Sequence, residues 1–326
     1  MNICGNGNIT ATDHTGGLIG FARANGESVE LNSDEVTVKN KIQATDGSYS
    51  AGFVGQLLAN NGAVTIEEAT VDVDGEISAD NQFAGGLIGQ SEVGETLTLV
   101  SGEIAVEKIL SEEGYAGGVI GQSSYGIVNI GDPTILTATN DKSINEISVD
   151  VEKLASAYAA GGIVGNNENN SDVNINAAYR ISSQKYGNFV EVEITEFENT
   201  KKDEAETYFK YAGNDANAQL AGTMSNIIGL LDGNLVVKEK NLTVTDHLDN
   251  GMKDAVCYKY HPDRQHNKPT SVSELYWGDY NGYVGWGNSG RYTIDGKGIT
   301  ADSDTGYNLY YPEAEYDDQK SKNAAE

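Results

Sequence analysis

The chain has 326 residues, and its 49 Asp and Glu against 21 Lys and Arg give a formal net charge of −28. This charge repels phosphate backbones and anionic lipid headgroups, so we exclude nucleic acid as a partner. No run of about 18 apolar residues is present for direct membrane insertion.

The first residues resemble the middle of a repeat and not a basic, apolar secretion leader, so we expect an excised segment of a longer protein. The two cysteines, Cys4 and Cys257, stand near opposite ends without a metal-binding spacing. We interpret both as incidental thiols, and we expect stability to come from packing instead of disulfides.

A glycine-rich string recurs five times in the first half of the chain. It reads GGLIG at 16–20, AGFVG at 51–55, GGLIG at 85–89, GGVIG at 117–121 and GGIVG at 161–165. Measured from the glycine before the apolar pair, the spacings are 35, 34, 32 and 44 residues, which is typical of solenoids and propellers. Weaker copies follow at 226–229 and 282–285.

Alternating apolar pairs follow the strings. The first pair lies about ten residues after each string, at Val29 and Leu31, Val64 and Ile66, Leu97 and Leu99, Val128 and Ile130, Val173 and Ile175, Leu235 and Val237, and Tyr292 and Ile294. The second lies seven residues further on, or is displaced by insertions, at Val36 and Val38, Val71 and Val73, Ile104 and Val106, Ile147 and Val149, Val190 and Val192, Leu242 and Val244, and Ile299 and Ala301. Such alternation predicts strands.

We therefore predict an all-β fold, a β-solenoid (parallel β-helix) with about three strands per coil, about seven imperfect coils and loop insertions in the C-terminal half. Stacked coils would place like residues in columns, with Val36 next to Val71. Glycines in the string would supply positive φ or close backbone approach at a corner. The structural glycines are Gly17, Gly20, Gly52, Gly55, Gly86, Gly89, Gly118, Gly121, Gly162 and Gly165.

Two further columns are predicted beside the strings. An amide ladder is expected directly after the string, at Gln56, Gln90, Gln122 and Asn166. A stack of rings is expected ahead of it, with corner packing favoured over ligand stacking, at Tyr49, Phe83, Tyr115 and Tyr158.

The strings GGLIG, AGFVG, AGGLIG, AGGVIG, AGGIVG and NGYVG resemble GLUG motifs, the Gly-Leu-hydrophobic-Gly repeats of large bacterial cell-surface proteins. That group includes adhesin-like proteins and the non-catalytic regions of some secreted peptidases. The resemblance covers 15–165 well and 220–300 poorly, where Asn226 replaces a glycine. It implies a stalk or display region on a bacterial surface, and it supplies no catalytic residues.

The repeats divide the chain into three regions. Residues 1–175 are predicted to be regular solenoid repeats, 176–316 degenerate repeats with insertions and an aromatic-rich cap, and 317–326 a polar tail. The period breaks at 176–225 and 245–281, where loops could carry recognition. Only 200–210 has the charge and apolar spacing of a short helix.

Aromatic residues concentrate near the C-terminus, where 255–316 holds twelve of the 26, including both tryptophans. Five of them alternate with Gly, Asp and Asn, at Tyr276, Trp277, Tyr280, Tyr283 and Trp286. They either seal the open end of the coil as a cap or stack on sugar rings, which makes a carbohydrate site an alternative hypothesis.

No pattern in the sequence predicts a metal or a cofactor. His261 and His266 lack a third ligand and a helical spacing. Asp72 and Asp74 alternate outward on a strand without the ligand ladder of a calcium loop. Nucleophile-elbow, P-loop and dinucleotide motifs do not occur.

We predict a non-enzymatic extracellular module, a structural stalk or adhesin display region of a larger bacterial protein. It would be a monomer as an excised segment, with host or microbial glycans or surface proteins as partners. The first alternative is the carbohydrate-binding module. The second is a β-helix polysaccharide lyase or glycoside hydrolase, which the scattered basic residues and the lack of a recurring acidic dyad disfavour.

Overall fold

The computed structural model describes residues 2–5, 7–26, 28–31, 34–135, 144–181, 185–200, 223–238, 241–246, 284–286, 291–294, 297–302 and 306–307. Within these ranges it has 28 strands and no helix, hence no helix that could cross a membrane. In chain order the strands span Asn2–Gly5, Ile9–Ala11, His14–Gly16, Ile19–Ala24, Val29–Leu31, Asp34–Val38, Lys41–Ala44, Tyr49–Ala51, Val54–Ala59, Val64–Ala79, Phe83–Gly85, Ile88–Ser111, Tyr115–Gly117, Ile120–Ile130, Ile144–Ser156, Ala159–Gly161, Val164–Asn167, Ser171–Asn176, Tyr179–Ile181, Lys185–Asn199, Thr223–Ser225, Ile228–Leu231, Asn234–Lys238, Leu242–Asp246, Val284–Trp286, Arg291–Ile294, Lys297–Asp302 and Gly306–Tyr307.

Most strands pair in parallel with the strand that lies one repeat later in the chain. The second copy shows the arrangement through five paired segments, which we number 1 to 5: Tyr49–Ala51, Val54–Ala59, 64–66, 69–73 and 76–79. Segment 1 and its counterparts form a six-stranded sheet, and a 22-stranded sheet contains the other segments. The predicted all-β class with parallel strands is confirmed.

The core is built from columns, which we define as residues at matched positions in successive parallel strands. Val36 pairs with Val71, and the same column continues through Ile104, Val149 and Val192. All five side chains are at most 1% exposed. Because equal copies place equal residues side by side, β-branched side chains pack on one another along the column.

The second apolar pair was predicted two residues too early after the insertions. Ile104 pairs with Val149, and Ile147 instead pairs with Gly102. The same shift places Val192, not Val190, in the column of Val149. A shift of two residues keeps the same strand face buried, so alternation alone cannot distinguish the two registers.

The final copy also departs from the predicted pattern. Lys297–Asp302, which contains the predicted pair Ile299 and Ala301, runs antiparallel to Arg291–Ile294 instead of stacking on the preceding copy. Parallel pairing nevertheless continues beyond residue 165, because Thr223–Ser225 pairs with Ala159–Gly161 and Val284–Trp286 with Ile228–Leu231. Residues 201–210 of the predicted helix and the tail 317–326 lie outside the described residues.

The string glycines lie where backbones approach closely. A Cβ atom on Gly118 would overlap the carbonyl oxygen of Gly162 and lie 2.8 Å from Cγ1 of Val149 in the core. A Cβ atom on Gly121 would lie 2.6 Å from the carbonyl oxygen of Gly89 and 2.8 Å from that of Ala84. Among the described residues positive φ occurs at other glycines, so close approach is the reason that applies to the string.

Candidate functional site: an aromatic and amide strip

An aromatic column runs along segment 1 through successive copies. His14 is opposite Tyr49, and Phe83 lies between Tyr49 and Tyr115. The ring centroids are 4.9 Å apart for His14 and Tyr49, 5.6 Å for Tyr49 and Phe83, and 5.8 Å for Phe83 and Tyr115. The ring centroid of Tyr158 lies 6.1 Å from that of Tyr115, but Tyr158 stands one residue outside the register, because Tyr115 pairs with Ala159. The sequence had indicated the four Tyr and Phe positions but not His14.

An amide column lies beside these rings on segment 2. Gln56, Gln90, Gln122 and Asn166 occupy matched positions in four copies. The Nε2 of Gln56 donates to Oε1 of Gln90 at 2.7 Å, which is the contact expected of an amide ladder. The direct bonding of one amide to the next is interrupted after Gln90, because both Gln90 and Gln122 donate to the hydroxyl of Ser124 at 3.0 Å.

The two columns touch and are edged by carboxylates. The Nε2 of His14 donates to Oε1 of Gln56 at 2.8 Å, and Nδ1 of His14 lies 2.9 Å from Asp13. At the other end Gln122 donates to Glu168. Together the rings, amides and carboxylates form one surface, which we call the aromatic–amide strip.

Burial and nearby negative charges raise the pKa values of two groups at the strip, Tyr115 and Glu168. Burial raises the pKa of the Tyr115 hydroxyl, and the charges of Asp232 and Glu168 raise it further. Burial also raises the pKa of Glu168; hydrogen bonds from Ser124 and Gln122 oppose the rise, and Asp232 and Glu92 add to it. Negative charge on this edge is therefore costly, which disfavours anionic ligands.

The strip is suited to holding copies together. Each internal ring contacts rings of the copies before and after it, so its faces are occupied by protein. The amide groups of Gln56 and Gln90 likewise bond within the strip. We interpret the strip as packing at a corner, next to which Tyr158 is 39% exposed.

A column of charges on segment 5 was not found from the sequence. Glu76 lies between Lys41 and Lys108, with N–O distances of 2.7 and 2.9 Å. Further along the column Lys153 lies 2.9 Å from Glu196. Offsets from the glycine string indicate only part of this column, since Lys41 and Glu76 each stand 24 residues after Gly17 and Gly52, whereas Lys108 stands 22 residues after Gly86.

Most of the ligand residues that the sequence predicts do not lie in the aromatic–amide strip. Tyr276, Trp277, Tyr280 and Tyr283 lie outside the described residues, as do His261, His266 and Cys257. Trp286 ends the strand Val284–Trp286 and pairs with Leu230. Asp72 and Asp74 point away from the core while Val71 and Val73 are buried, and Cys4 is an exposed free thiol. The described residues contain no group of three His, Cys, Asp or Glu placed to hold a metal.

No family model, no curated protein and no solved structure matches the chain.

Proposed function

We propose that the chain is a β-solenoid and serves as a non-enzymatic extracellular module, a stalk or display region of a larger bacterial surface protein. The observation that carries the proposal is the order of pairing. Through the first five copies the chain passes through segments 1 to 5 in the same order, and each segment of one copy pairs in parallel with its counterpart in the next. A chain that returns to its first segment one strand higher in every copy describes a coil.

A coil of this kind favours display over chemistry. Its outward side chains stand in columns about 4.8 Å apart on a backbone that is hydrogen-bonded on both sides, which makes a stiff and regular surface. The resemblance of the strings to GLUG motifs supports a location on the bacterial surface. The charge of −28 supports solubility and low affinity for anionic polymers.

Engineered disulfides test the coil. Thr70 and Glu103 are register partners on segment 4, so cysteines there would have Cα atoms about 5 Å apart, within disulfide reach. With Cys4 and Cys257 changed to serine, Thr70→Cys with Glu103→Cys should oxidise to an intramolecular bond.

The matched control shifts one cysteine along the same face. Thr70→Cys with Ala105→Cys should stay reduced, because this diagonal spans about 8 Å. Equal oxidation of both variants, or of neither, would contradict the parallel register and with it the coil.

Surface labelling tests the location. Antibodies raised against this chain should stain intact cells of the source organism, with an antibody against a cytoplasmic protein as the negative control. Staining that appears only after permeabilisation would rule out the display role.

The alternative function is a carbohydrate-binding module that uses the aromatic C-terminal region. Its test is a glycan array that compares the chain with Trp277→Ala and Trp286→Ala. Binding that both substitutions abolish would favour this alternative, and binding that neither affects would reject it.

A further inference from the structure

A groove interrupts the regular surface between segments 2 and 3 of the fourth copy. It is shallow and largely open to solvent, with a volume of about 450 Å³. Its lining comes from three successive copies: Gly94, Glu95 and Thr96, then Tyr125, Gly126 and Ile127, then Asn170 and Asp172.

The groove lies where the fourth copy is one residue shorter than both neighbouring copies. Val128 comes five residues after Ser123, whereas the matched residues Leu97 and Val173 come six residues after Ser91 and Asn167. The strand Ile120–Ile130 therefore crosses this stretch with one residue fewer than the copies on either side.

Gly126 lies in this shorter stretch. Its φ of 82° suits glycine, and a Cβ atom there would overlap the carbonyl oxygen of Val93. The amide of Gly126 donates to the carbonyl oxygen of Asn170 at 3.0 Å, which ties the floor of the groove to one wall. Backbone contacts thus fix the position of this stretch.

The floor of the groove is apolar and open to solvent. Tyr125 is 49% exposed and Ile127 39%, and both rank among the exposed large hydrophobic side chains of the described residues. The walls add the carboxylates of Glu95 and Asp172, the hydroxyl of Thr96 and the amide of Asn170. Asp172 accepts a hydrogen bond from Nδ2 of Asn234 at 2.5 Å, which orients its carboxylate.

We propose that this groove binds a neutral saccharide, with the apolar face of a sugar ring on Tyr125 and Ile127 and the hydroxyls on Asp172, Asn170 and Thr96. Sugar hydroxyls both donate and accept, and the walls offer both kinds of group. An ammonium or guanidinium ligand would use only the acceptors, and the chain's charge of −28 opposes a polyanion. The inference rests on the proposed display function and gives it a ligand class.

Titrations with defined oligosaccharides test the groove. The probes are cellohexaose, xylohexaose, mannohexaose and maltohexaose, followed by calorimetry and by ligand-observed NMR on the wild-type chain. At least one should bind, Tyr125→Ala should weaken it by about tenfold or more, and Asp172→Asn should weaken it while keeping the shape of the side chain. Tyr158→Ala, which removes a partly exposed tyrosine that does not line the groove, should leave affinity within about twofold.

Three outcomes would overturn the proposal. One is the absence of binding by all four probes; another is binding that neither Tyr125→Ala nor Asp172→Asn affects. The third is a preference for hexalysine that disappears at high salt, which would mark a site for basic peptides. The engineered disulfides and the surface labelling do not depend on these results, so failure of the groove and failure of the display function are distinguishable.

Discussion

Gly86 lies directly against Ile104, so that a Cβ atom on this glycine would stand 2.7 Å from Cγ2 of the isoleucine and would overlap the carbonyl oxygen of Gly118. Neither neighbour can move freely, since one is a buried core side chain and the other is backbone. We expect Gly86→Ala to lower the free energy of unfolding by about 3 kcal/mol. Thermal and urea unfolding followed by circular dichroism measure the loss.

Gly7→Ala is the matched control, because a Cβ atom there would have no neighbour within 4 Å. It should change stability by less than about 0.5 kcal/mol. Equal effects of the two substitutions would show that the string glycines are not required for close approach.

The charge column predicts a dependence of stability on pH. Burial raises the pKa of Glu76, but the hydrogen bonds and charges of Lys108 and Lys41 outweigh it and hold the pKa below its usual value. A lowered pKa contributes stability above the unfolded value of about 4.3, and that stability is lost as the pH falls through the folded value.

Glu76→Gln should therefore lower the free energy of unfolding by up to about 1 kcal/mol at pH 7 and by less at pH 3, because the contribution of a lowered pKa is lost progressively as the pH falls below the unfolded value. Urea unfolding at both pH values measures the difference. Glu103→Gln, at an exposed position, serves as the control. A cost of Glu76→Gln that is the same at both pH values would show that the carboxylate charge is not the cause.

The aromatic column predicts which residue types its positions accept. Phe83 lies between Tyr49 and Tyr115, so Phe83→Tyr only repeats what adjacent copies carry. We expect a change below about 0.5 kcal/mol for Phe83→Tyr and a loss of about 2 kcal/mol for Phe83→Ala, which removes two ring contacts. Chemical unfolding of both variants tests this, and a tyrosine as costly as alanine would mean that the copies are not equivalent.

The stability of the fold is expected to depend strongly on one buried amide, that of Asn188. It is 1% exposed, and its Nδ2 donates to the carbonyl oxygens of Asp132 at 2.8 Å and Asn176 at 3.0 Å, while its Oδ1 accepts from Asn145. Asn188→Ala leaves these groups without their partner, so a loss of about 2–3 kcal/mol is expected in the unfolding free energy. Asn60→Ala, at an exposed asparagine, should lower the unfolding free energy by only a few tenths of a kcal/mol and serves as the control.

Predictions from the sequence were correct where successive copies have similar lengths and wrong where an insertion changes the length of a copy. The column of Val36 and Val71 and the rings of Tyr49 and Phe83 follow from equal offsets in copies of similar length. The position of Val149 did not follow, because an insertion precedes it and alternation repeats every two residues. The branch of the amide ladder to Ser124 was missed for a similar reason, since this serine lies outside the matched positions.

By itself the sequence determined the all-β class, the parallel stacking of like residues and the glycines that permit it, because each depends on a pattern that recurs from copy to copy. The tertiary structure alone decided what happens between unequal copies: the surface around Tyr125, the pairing of Glu76 with Lys108 and the buried amide of Asn188. These depend on which side chains meet across strands, and that is set by hydrogen-bond register and turn length in three dimensions. A strand pattern of period two carries no information about either.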